Sequence, residues 1–220
     1  MGFMSVSRFV ARQRGQLPVR LALAIILTAI AAFVMLTAYK AIRAPLMTED
    51  FPEALAVKME VIPTIFTLHM ITGGLALLLV PLAILLNPWP RWHRIAARIA
   101  ALDVVLAGVT AFPVALVLPV TWGSALGFTA QALVWLVLLG FGIASIRAGR
   151  VARHRACMLL MAATTSGAVF FRIYLALWAI YGSARHYELF YAVDGWIAWL
   201  LPLGLMMLFL KRIGSRNAKA

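Results

Sequence analysis

"WPRWHRIAAR" at residues 89–98 and "GRVARHRACM" at residues 149–158 each place a His-Arg pair among arginines at the start of an apolar run. The chain holds only four histidines, and two of them occupy this same kind of position. Around these basic stretches the sequence is overwhelmingly apolar: 64% hydrophobic and 12% charged, with a mean hydropathy of +0.96. A soluble domain is roughly half apolar and about a quarter charged. Several uncharged stretches are 18 residues or longer, the length that crosses a bilayer as a helix. The net charge of +13 does not mark a nucleic-acid binder. Its arginines stand in short clusters between apolar runs, where they orient helices, and no polar domain gathers them on one face.

Six spans are predicted, at about 21–39, 61–86, 95–118, 125–146, 156–181 and 195–210. At roughly 1.5 Å per residue, most cross a hydrocarbon core of roughly 30 Å. The fold class is all-α: one six-helix membrane bundle over residues 21–210, with basic segments 1–20 and 211–220 at its ends. The Leu21–Tyr39 run is too long for a signal-peptide core and lacks a small-x-small cleavage site, so it reads as an uncleaved first span. The single cysteine, Cys157, excludes an internal disulfide. Fifteen of the twenty Lys and Arg residues fall in the N-terminus (Arg8, Arg12, Arg14, Arg20), the 87–98 loop, the 147–155 loop and the C-terminal tail. The opposite loops hold six of the seven acids: Glu49, Asp50, Glu53, Glu60, Glu188 and Asp194. Positive-inside logic makes both termini and both His-Arg loops cytoplasmic. Trp89 and Trp92 then suit the inner interface, Trp122 and Trp196 the outer one.

Ionisable groups within spans are costly and mark candidate sites. His69 in span two and Arg172 in span five lie roughly 12 and 14 Å from the outer end of their helices, counted at 1.5 Å per residue. Gln131 in span four is close to the same layer. Asp103 in span three has no basic partner at its depth. The bland readings are a carbonyl bond for His69, snorkelling for Arg172 and interfacial anchoring for His93 and His154. Gly73-Gly74 and the "GSALG" of residues 123–127 are expected to let helices approach closely, and Met158 and Cys157 to pack.

The run "HMITGGLALLLVPLAIL…WHRIAARIA…GRVARHRACMLLMAATTSGAVFFRIYLAL" resembles a family of bacterial predicted membrane proteins, domain of unknown function 2306, across roughly residues 65–180. The likeness rests on His69, His93-Arg94, His154 with Met158, and Arg172, and it implies a bacterial cytoplasmic (inner) membrane location. More distantly, the chain is similar to transmembrane b-type cytochromes, whose histidines on consecutive helices pair second with fourth and third with fifth. His69 matches the second helix, His93 the third and His154 the fifth, while the fourth carries Gln131 instead. This resemblance implies one haem b with His93 and His154 as axial ligands, and Arg94, Arg98, Arg153 and Arg155 facing its propionates. His69, Arg172 and Gln131 then make a second, outer site for a quinone headgroup or another anionic or carbonyl-bearing molecule.

Haem-dependent electron transfer is accordingly the leading expectation, with membrane lipids and a quinone as partners. Two rivals stay open: a small-solute carrier or channel lined by His69, Asp103 and Arg172, and a structural membrane protein without a ligand. The charge pattern itself predicts that reporter fusions after residues 90, 150 and 215 read out as cytoplasmic, and those near 50, 122 and 188 on the opposite side. An external signal at 90 or 150 would break the helix count.

Overall fold

The computed structural model describes residues 3–46 and 53–217, with side-chain surroundings for 21–46 and 56–215. Glu49, Asp50 and Lys219 lie outside the described residues, and the side chains of Arg8, Arg12, Arg14, Arg20, Glu53 and Arg216 lie outside the described surroundings. The chain forms α1 (Phe3–Arg43), α2 (Glu53–Val61), α3 (Pro63–Leu85), α4 (Pro90–Leu116), α5 (Trp122–Arg147), α6 (Val151–Thr165), α7 (Gly167–Tyr181) and α8 (Tyr187–Asn217). Among the described residues there is no strand. Among the described residues six stretches are long and apolar enough to cross a membrane, and α6 with α7 makes up the fifth.

Helix starts fall ahead of the apolar runs. α4 begins at Pro90, where a missing N–H costs nothing, and α6 begins at Val151. His93 and His154 are therefore each the fourth residue of a helix rather than loop residues. α8 begins at Tyr187, so Asp194, expected in an outer loop, lies inside a helix and is buried.

Helices α3, α4, α5 and α6 pack in sequence around Ala76, Val80, Val104, Leu139 and Met161. α1 lies against α3, and α8 closes on α5, α6 and α7. Lipid tails are as apolar as these side chains, so close approach rather than water exclusion must hold the helices together. The glycines serve this. A Cβ on Gly74 would stand 3.0 Å from the Ala38 carbonyl of α1, and one on Gly127 would stand 2.6 Å from the Gly195 carbonyl of α8. A Cβ on Gly142 would collide with the methyl of Met158, which makes that methionine a packing residue.

The two His-Arg stretches now acquire a physical role. His93 Nδ1 lies 2.7 Å from the Ala83 carbonyl near the end of α3, and His154 Nδ1 lies 2.9 Å from the Gly142 carbonyl of α5. A carbonyl only accepts, so each ring nitrogen donates. Around the end of α3, the amides of Leu86 and Asn87 close on Leu82 and Ile84, leaving the Ala83 carbonyl to the imidazole. Each histidine thus clasps its own antiparallel hairpin, α3/α4 or α5/α6. The α5/α6 turn is tight. Gly149, at φ +73°, sends its amide to Ile146, and Arg150 closes on Ser145; together these bonds make a Schellman motif.

His93→Ala and His154→Ala should each lower the unfolding midpoint in mild detergent by the equivalent of about 1 kcal/mol, without loss of membrane insertion. Gly149→Ala should cost about 1 kcal/mol by forcing a Cβ into left-handed backbone. If both histidine variants kept the parental midpoint, the clasps would have no energetic role.

Candidate ligand cavity

Halfway along the fifth span the helix is interrupted. α6 ends at Thr165 and α7 starts at Gly167, with Ser166 between them. At the junction the cap amides close on the Ala162 and Thr164 carbonyls. Inside a membrane the carbonyls at such a junction need protein partners, and side chains add to the backbone bonds: Ser166 Oγ donates to Ala163 at 2.6 Å, and Gln131 Nε2 donates to Thr164 at 3.0 Å. Trp135 Nε1 adds a bond to the Thr165 hydroxyl at 2.8 Å. The break is therefore built into the packing of α5, and Gly167 keeps it tight: a Cβ there would stand 2.7 Å from both Gln131 Nε2 and Trp199 Cβ.

Beside the break opens a cavity of about 400 Å³. Its wall takes residues from α3, α4, α5, α7 and α8, together with Ala41 of α1 and Lys58 of α2. His69, Gln131 and Arg172 all line it. His69 Nδ1 donates to the Ala107 carbonyl at 3.1 Å, so the carbonyl bond expected as its bland role is present, and the ring still faces the cavity. Arg172 sends one N–H to the Ala168 carbonyl at 2.9 Å. Phe128, Phe171 and Tyr191 form an edge-to-face triad, with ring centroids 5.2, 5.4 and 6.3 Å apart, that ties α5, α7 and α8 together at this wall.

Lys58 is the member that sequence reading missed. It is 5% exposed, and its Nζ donates to the Val114 carbonyl at 2.5 Å. Burial pushes its ammonium below the ordinary lysine range. Tyr187 and Tyr191 also line the cavity, with Ala198; their spacing with Asp194 follows one face of α8. A period count begun at Tyr187 would have found that face, but a span started at residue 195 cuts it in two. Both carboxylate oxygens of Asp194 are buried without a hydrogen-bond partner. Asp103 is also buried, with Oδ2 unpartnered, and it is not part of the cavity wall.

The remaining expected site residues belong to the other end of the bundle. His93 and His154 are on different hairpins, whose helices α4 and α6 share no extended packed face among the described residues. Arg94, Arg98, Arg153 and Arg155 are exposed, and Arg94 Nε bonds the Pro90 carbonyl of its own helix at 3.1 Å. Among the described residues no group of three or more His, Cys, Asp or Glu side chains is placed to hold a metal ion.

Comparison with curated proteins and with solved structures finds no match. Residues 66–210, from α3 through α8, match the family described as predicted membrane protein, domain of unknown function 2306. That region holds His69, Gln131, Arg172 and Tyr191, and it omits α1 and Lys58. With well over half of its length matched, the chain belongs to this family of multi-pass membrane proteins.

Proposed function

We propose that this protein takes a small amphiphilic molecule from the bilayer of a bacterial cytoplasmic membrane into the cavity beside the Ser166 break, and holds its carbonyl- or acid-bearing head against Arg172 and His69. The carrying observation is the cavity itself: about 400 Å³, within the range of small-ligand sites, largely apolar, with a few polar groups converging at one depth. Interrupted membrane helices commonly build such sites at mid-depth. The basic loops at the opposite end orient this cavity toward the outer leaflet. A quinone headgroup is one chemistry that suits these donors.

A haem between His93 and His154 does not fit the residues present. The helices that carry them, α4 and α6, share no extended packed face among the described residues. Ile84, Ala101, Ile143 and Met158 pack onto the apolar core shared by α3, α4, α5 and α6, filling the interior that a macrocycle would need. No electron-transfer step follows from these two histidines, and the outer cavity stands without one.

Gly73 supplies the test. It lines the cavity, and a Cβ there meets nothing within 4 Å, so Gly73→Leu should fill space without straining the backbone. Native mass spectrometry of the detergent-purified protein with decylubiquinone or laurate should show retained adducts that fall about tenfold or more in Gly73→Leu, at unchanged thermal stability. Equal retention by the two proteins would sink the cavity reading.

A further inference from the structure

Charge is unbalanced in the cavity wall. Two basic side chains, Lys58 and Arg172, line it, and no aspartate or glutamate does. Each makes a single hydrogen bond, to a backbone carbonyl. Arg172 carries five N–H donors and Lys58 three, so most of their capacity has no protein partner among the described residues. Neither takes part in an ion pair there. Asp194, one helical turn from Tyr191, has both oxygens buried and unbonded and lies outside the lining. Gly167 and Ala168, the first residues of α7, also lie in the wall.

A cation withdrawn from water without a counter-charge is strongly unfavourable, and here two surround one space. A neutral quinone accepts hydrogen bonds but leaves both charges uncompensated. An anion satisfies donors and charge together, and charge-assisted bonds to guanidinium are the stronger kind. Resting on the cavity reading above, we infer that the physiological ligand is an anionic amphiphile: a carboxylate or phosphate head seated between Arg172 and Lys58, with its apolar part against Phe128, Phe171 and Leu77. A free acid and the head of an acidic lipid share this chemistry.

The experiment compares laurate, dodecanol and phosphatidylglycerol on the full-length protein in mild detergent, with adducts counted by native mass spectrometry. The parent should retain laurate about tenfold better than dodecanol, and Arg172→Gln should erase that preference while dodecanol adducts persist. Should Arg172→Gln fail to fold, Lys58→Met carries the same comparison, since Lys58 lies outside the six spans. Retention of phosphatidylglycerol that depends on Arg172 supports the same assignment with a lipid as its source. Equal retention of laurate and dodecanol by the parent overturns the anionic head and leaves the cavity reading intact. No adduct with any of the three probes overturns both.

Discussion

A backbone carbonyl that loses its amide partner in hydrocarbon has no water to turn to, and this constraint organises the bundle. Near the end of α3, His93 of the adjoining helix donates to the Ala83 carbonyl, and beside the Ser166 break Gln131 adds a donor to Thr164. Two more polar side chains tie the same hairpins without repairing a break: His154 reaches Gly142, and His69 reaches Ala107. Hairpin α3/α4 is thus held at both depths by imidazoles, and α5/α6 by an imidazole at one depth and an amide at the other. The two hairpins repeat one device, which is why histidine recurs at the same helical position.

This scheme also explains why the cavity lies where it does. At the clasped end the space among α3, α4, α5 and α6 is filled by Val80, Val104, Leu139 and Met161. At the other end the chain departs from regular packing three times: at the Ser166 break, at Leu118, whose φ of 45° is unusual for a non-glycine residue, and at Gly73, whose missing side chain leaves open space. Polar side chains already bonded to backbone carbonyls, His69 and Gln131, become part of the polar wall.

Hydropathy made the six spans legible, and a simple depth count brought His69, Gln131 and Arg172 to one layer before any coordinates. What stayed hidden has physical reasons. The acceptors of His93 and His154 are backbone carbonyls, which leave no mark in a sequence. The Ser166 break is silent because "TTSG" is tolerated inside an apolar run. Tyr191 and Asp194 precede the apolar part of span six, although the helix starts at Tyr187. Lys58 lies on α2, a nine-residue helix too short to register as a span, and only the fold returns it to the bundle.

The interruption of the fifth span has a mechanical consequence. A single unbroken rod through a bilayer transmits a push on one face directly to the other. Here the inner half, α6, is fastened to α5 through His154 and Gln131, while the outer half, α7, is fastened to α8, where Trp178 stacks on Phe190 at 4.3 Å. Ser166 divides the two attachments. The unbroken α8 packs on both halves, so a tilt imposed on α7 at the outer face has a route to α6 through α8 that does not cross the interruption.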